Sequence, residues 1–159
     1  MTANMIYSDI SSDTSSIGLD ASERTLRSVL TALSEGRFSD AVSQFDDHFA
    51  FIDQALDLEF TDKGRLIEFF RKSWELFPDT ALEIESTFGY GDHAAAVWKL
   101  TATQTEFICN QTFRPTIVVR GSTIVRIESG RVTRWSEYYD ELTSRRYRLV
   151  GMFKEWIEY

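Results

Sequence analysis

From Leu82 to Asp140 the chain reads as four strand-length runs broken by turn residues, and no other stretch limits the possible fold as tightly. The runs are Leu82 to Tyr90, Ala94 to Thr105, Thr116 to Glu128 and Arg131 to Asp140. Gly91-Asp92 and Ser129-Gly130 supply the turn chemistry of tight hairpins, while residues 106–115, polar and carrying Pro115, read as a loop. Runs joined this closely make a meander. Ahead of it the apolar period changes to that of helices. Leu26, Val29, Leu30 and Leu33 share one helical face; Asp20 with Glu23 forms a capping-box pattern before them, and Gly36 follows as a left-handed cap. Phe38, Ala41, Val42 and Phe45 predict a second, short helix. Phe49, Phe51 and Asp53 then alternate with Ala50, Ile52 and Gln54, which puts Asp53 on the same strand face as two Phe rings. A third helix is expected after Thr61 or Asp62, with Leu66, Phe69, Phe70, Trp74 and Phe77 as a broad aromatic stripe ended by Pro78. Helices first and a meander after them specify an α+β domain, with three N-terminal helices on one face of a curved antiparallel sheet.

The two ends differ from this middle. Residues 1–19 are rich in Ser, Asp and Thr without a period and read as a flexible tail. Residues 142–159 read as a C-terminal helical extension, with Leu149, Phe153, Trp156 and Ile157 on one side and Gly151 weakening it. The expected division is thus tail 1–19, domain 20–141 and extension 142–159.

Charge and composition exclude several classes of partner. With 25 acidic against 17 basic residues the net charge is −8, a field that repels phosphate backbones and anionic head groups, so neither nucleic acid nor a membrane surface is expected. Cys109 is the only cysteine and there are two histidines, which excludes an internal disulfide and a Cys/His zinc site. No carboxylate–histidine spacing points to a metal, no Gly-rich phosphate loop is present, and no cofactor is expected. The first residues lack the basic and apolar regions of a secretion signal, so the expected location is cytoplasmic, and the Asn110-Gln111-Thr112 sequon reads as a chance match. Twelve Phe, six Tyr and four Trp are enough large side chains to line a concave interior.

Three local motifs carry a resemblance. They are Ser34-Glu35-Gly36-Arg37 followed by Phe45-Asp46-Asp47, then Lys63-Gly64-Arg65-Leu66-Ile67-Glu68-Phe69-Phe70, and then the hairpin from Glu128 to Asp140. With Trp74-Glu75-Leu76-Phe77-Pro78-Asp79 they make the chain resemble the nuclear-transport-factor-2-like (NTF2-like) superfamily over residues 20–141. Its SnoaL-like branch is the nearest in kind, with polyketide cyclases, ketosteroid isomerases and limonene-type epoxide hydrolases as relatives. The resemblance implies a cone-shaped cystatin-like roll around a pocket. It also implies positions for chemistry. Asp53 falls where the isomerases keep a carboxylate base, but their oxyanion-hole Tyr and protonated Asp fall at Val29 and Thr123. Glu137 falls on one carboxylate of the epoxide hydrolase triad, while Lys99 replaces its Arg, Thr101 its other carboxylate, and Phe51 and Asp53 its water-holding Tyr and Asn. For the cyclases, the acid–base carboxylate of the last strand is either Glu137 or Asp140.

The candidate site is therefore Asp53 and Glu137, assisted by Lys99 or Tyr139. Phe49, Phe51, Phe70, Trp74, Phe77, Trp135, Thr101 and Thr123 are the expected pocket lining. A carboxylate among Phe rings has its pKa raised by desolvation, which suits a general base near neutral pH. Trp98 and Leu100, opposite Lys99 on their strand, are assigned to the outer sheet face, where they would pair two copies as a homodimer. Two functions fit. One is a cofactor-independent isomerase, cyclase or hydrolase acting on a small apolar molecule by carboxylate chemistry. The other is a non-catalytic ligand-binding or protein-interaction domain using the same cup.

Overall fold

The computed structural model describes residues 19–103, 106–108, 111–114 and 116–140. The expected tail (to residue 18), the C-terminal helical extension, Cys109 and Asn110 lie outside them. Two helices open the domain, α1 (Ala21–Ser34) and α2 (Phe38–Ser43), followed by strands β1 (Phe45–Asp53) and β2 (Leu58–Phe60) and helix α3 (Lys63–Leu76). The remainder is strand: β3 (Ala81–Tyr90), β4 (His93–Thr103), β5 (Glu106–Ile108), β6 (Gln111–Phe113), β7 (Thr116–Glu128) and β8 (Arg131–Tyr139). The α+β architecture is as expected: helices, then a curved, unclosed sheet of six strands in the order β2-β1-β8-β7-β4-β3.

The sheet is mixed rather than wholly antiparallel. β8 pairs antiparallel with β7 on one side but parallel with β1 on the other. The reason lies in the connection: β1 is reached from α2 and left through β2 and α3, so it meets the last strand of the meander running the same way. The segment expected to loop between the second and third runs contains the short β5–β6 hairpin. Phe45, assigned to the second helix by its spacing, opens β1 instead, because Gln44 caps α2 and the chain extends from there.

Local chemistry accounts for the helix ends. The Asp20 carboxylate accepts from the Ser22 N–H at 2.9 Å, and Asp62 accepts from the Arg65 N–H at 2.8 Å. Only half of the expected capping box forms. Glu23 does not turn back to Asp20; its Oε1 accepts from Thr87 Oγ1 at 2.5 Å and tethers α1 to β3. Gly36 takes φ 71° after α1, and Ser129 and Gly130, both with positive φ, turn β7 into β8. The core lies between the helices and the concave sheet face. Trp135, Phe45 and Phe51 are its largest fully buried side chains, and Trp135 stacks on Phe51 with ring centroids 6.2 Å apart.

Candidate functional site

The concave face is built from cross-strand rows, and seven residues of three consecutive rows (Leu82, Leu100, Val119, Trp98, Tyr139, Glu137 and Asp53) make one wall of a cavity. One row runs Leu82, Leu100, Val119 across β3, β4 and β7. The next runs Ile84, Trp98, Gly121, Tyr139 and reaches β8. The third runs Ala96, Thr123, Glu137, Asp53 and reaches β1. Facing this wall are Leu30 and Leu33 of α1, Phe69, Phe70, Ser73 and Trp74 of α3, and Phe77 and Thr80 beyond it. The cavity, open on one side, has a volume of about 130 Å³. A dry apolar cavity of about 150 Å³ accommodates benzene, so this one holds a group of about that size.

Two carboxyl groups face the cavity side by side, because Asp53 and Glu137 are register partners on the parallel pair β1–β8. Their surroundings differ. Asp53, 2% exposed, accepts from the Leu56 N–H at 2.9 Å through Oδ1 and from the Tyr139 hydroxyl at 2.9 Å through Oδ2. Glu137 accepts from Trp135 Nε1 at 3.0 Å. Burial raises the pKa of both. For Glu137, desolvation and then the neighbouring Asp53 charge push it up to about 8. For Asp53, desolvation raises it while the Leu56 and Tyr139 hydrogen bonds pull the other way. The two carboxyls therefore titrate as a coupled pair, and near neutral pH Glu137 holds a proton. Asp53 has more donors aimed at it, and these favour its charged form against the effect of burial.

Several residues singled out from sequence lie elsewhere. Lys99 is on the outer sheet face, ion-paired with Glu83, and does not meet Glu137. Trp98 and Leu100 are correspondingly inside, not on the outer face, and both line the cavity. Trp98 Nε1 donates to Thr123 Oγ1 at 2.9 Å, which leaves Thr123 fully buried behind the lining. Phe49, Phe51 and Trp135 pack in the core beneath the cavity rather than lining it, and Thr101 shares the outer parity of Lys99. Phe70, Trp74 and Phe77 do line it, as do Asp53, Glu137 and Tyr139. Asp140, the alternative to Glu137, is exposed at the end of β8. Among the described residues no group of three or more His, Cys, Asp or Glu side chains is gathered as a metal site requires, and no helix is long and apolar enough to cross a membrane.

The lining residues missed from sequence are chiefly Leu82, Trp98, Leu100 and Val119. The signal was available: Trp98 and Leu100 are large, apolar and two apart, and Leu100 with its cross-strand partners Leu82 and Val119 makes a continuous apolar row.

Comparison with known structures agrees with this architecture. An NTF2-like protein from Burkholderia thailandensis superposes with TM-score 0.69 at 10% identity, over 82% of this chain and 98% of that one. A proposed SnoaL-like polyketide cyclase from Shewanella putrefaciens gives 0.68 at 12% identity, over 83% and 98%. IdmH, a proposed polyketide cyclase from Streptomyces antibioticus, gives 0.67 at 12%, over 79% and 96%. At such identities the likeness is one of fold. No curated protein matches the sequence. The family model of the SnoaL-like domain, however, matches residues 26–135, from the first buried leucine of α1 to the central tryptophan of β8, and the chain belongs to the SnoaL-like domain family.

Proposed function

We propose that this domain is a cofactor-independent acid–base enzyme whose cavity takes a small molecule with an apolar body. The observation that carries the reading is the unequal carboxyl pair. Asp53 and Glu137 share one cavity wall, yet neutral donors hold Asp53 towards its charged form while Glu137 retains a proton near neutral pH. Two carboxyls of opposite readiness suit a reaction that removes a proton at one atom and delivers one at another. Asp53 takes a proton from a carbon next to a carbonyl, and Glu137 gives its proton to the carbonyl oxygen, so an enol forms without net charge change. Return of the two protons to other positions gives isomerisation; attack of the enol carbon on a second carbonyl, with the enol proton returning to Glu137 and the proton on Asp53 passing to the new alkoxide, gives ring closure, and two of the structural neighbours are named as proposed polyketide cyclases. Tyr139, bonded to Asp53 and in the cavity wall, positions that carboxylate.

The test is exchange of α-hydrogens of benzene-sized ketones in heavy water, followed by proton NMR. General acid–base groups contribute about 10²–10⁴-fold each, so Asp53→Asn and Glu137→Gln should each slow exchange by about that factor. Exchange at the buffer rate with the wild-type protein across the ketone panel would remove the enzymatic reading.

The same cavity in a non-catalytic binding protein is favoured by one observation: both Asp53 oxygens already accept hydrogen bonds from the protein. In that case ligand retention would survive Asp53→Asn and no turnover would accompany binding.

A further inference from the structure

The charge balance inside the cavity is one-sided. Asp53, Glu137 and the Tyr139 phenol are the only ionisable groups among its described lining residues; no Lys, Arg or His is there. Every hydrogen bond named above to the two carboxyls comes from a neutral donor: a backbone N–H, a phenol and an indole. Lys99, the cation expected beside Glu137, is spent on Glu83 at the outer face. The pair therefore leaves buried negative charge with no described countercharge, and such charge is costly unless something of opposite sign meets it. A neutral apolar ligand would worsen the cost by expelling remaining water. Part of the remaining lining, Leu30, Leu33, Leu56, Leu82, Leu100 and Val119, is aliphatic; another part is of a kind that attracts cations. Six aromatic side chains, Phe69, Phe70, Trp74, Phe77, Trp98 and Tyr139, bring their rings to the same space, and ring faces draw ammonium groups, most strongly when these are desolvated.

We propose that the ligand of this cavity is a small organic cation, an alkylated ammonium whose charge faces Asp53 and Glu137 and whose alkyl groups lie against the aromatic rings. The proposal deepens the second, non-catalytic reading of the same cavity and rests on it, since a cation that favours the charged form of Glu137 removes the proton that acid–base chemistry would need. The available volume suits a trimethylammonium-sized head, with any longer substituent leaving through the mouth. Binding would also favour the charged form of both carboxyls, so it should release protons near neutral pH.

The experiment uses the full chain and two probes of the same shape, choline and its neutral carbon isostere 3,3-dimethylbutan-1-ol, titrated calorimetrically at pH 7 in two buffers of different ionisation enthalpy. The expected result is choline binding at least tenfold tighter than the alcohol, with proton release seen as a buffer-dependent enthalpy. The preference should grow at least threefold at pH 9, above the value of about 8 to which Glu137 is pushed, where the pair is more ionised. It should vanish in Asp53→Asn/Glu137→Gln; should that variant not fold, the proton release by the wild-type protein decides. Equal or tighter binding of the alcohol would overturn the cationic class while leaving the cavity as a ligand site. Failure of both probes to bind at 100 mM, with no ketone turnover, would overturn both readings.

Discussion

Glu137 joins stability to pH in a way that can be followed directly. Its pKa in the folded protein, about 8, lies above the ordinary 4.5, so between those values the native state holds a proton that the unfolded chain has released. Stability from this group is therefore full below about pH 4.5 and falls as pH rises through 8, by up to about 1.4 kcal/mol per pH unit. Glu137→Gln cannot ionise, so its melting temperature should gain on the wild type from pH 5 to pH 9, by roughly 2–4 °C for each kcal/mol. Parallel melting curves across that range would mean an ordinary carboxyl. Trp135 reports the same event, because its indole N–H donates to Glu137: its fluorescence should titrate near pH 8 in the wild type and not in Glu137→Gln. Tyr139→Phe acts on the neighbour. It removes a donor from the ionised Asp53, and hydrogen bonds to charged groups contribute about 1.5–3 kcal/mol. The expected loss of stability in urea melts is of that order while Asp53 is ionised and becomes smaller as falling pH protonates it, since a protonated carboxyl depends less on the phenol.

At the scale of elements, two glycines fix how close the pieces stand. A Cβ on Gly121 would lie 2.6 Å from the Trp98 ring and 2.7 Å from the Tyr138 carbonyl oxygen. Gly121→Ala should drive Trp98 into the cavity, abolishing ligand binding while costing about 1–3 kcal/mol of stability; unchanged affinity by calorimetry would show that Trp98 has room to yield. A Cβ on Gly89 would meet the Ser22 hydroxyl at 2.7 Å and the Glu23 backbone N at 2.9 Å, so the corresponding prediction there is weakened docking of α1 on β3 with the cavity wall left intact. The strands of the meander were legible because turns and alternation punctuate them, and α3 because its apolar stripe is wide. The parallel pairing of β1 with β8 was not, since no local pattern encodes which way a neighbouring strand runs. The facing of β4 was misread for a different reason. Its start, Ala94-Ala95-Ala96, carries no polar–apolar contrast, and the position of Lys99 in the resemblance to the epoxide hydrolases outweighed the plain fact that Trp98 and Leu100 are the residues a core would claim. Asp53 and Glu137 were findable because each lies two residues from a large aromatic on its own strand; their adjacency was not, because it depends on the parallel register.

For the whole molecule, moving Trp98 and Leu100 inside changes the basis on which two copies would meet. The outer sheet face instead presents Phe88, Val97, Ile124 and Tyr138, with Phe88 64% exposed, and rows of register partners link Phe88 to Ala95 and Ile124, and Val97 to Ser122 and Tyr138. These apolar groups favour pairing, whereas a net charge of −8 on each copy opposes it. The two forces respond differently to salt: apolar burial hardly changes over moderate ionic strength, while repulsion over more than about 10 Å is largely screened at 0.1 M. A homodimer through this face should therefore tighten as salt rises from 10 to 300 mM, seen in sedimentation velocity as growth of the dimer fraction at fixed protein concentration. Ile124→Lys should weaken it at least tenfold at every salt without lowering the cooperativity of unfolding, since Ile124 points away from the core. A monomer at all salts and at high micromolar concentration would remove the homodimer and leave the outer face as ordinary solvated sheet.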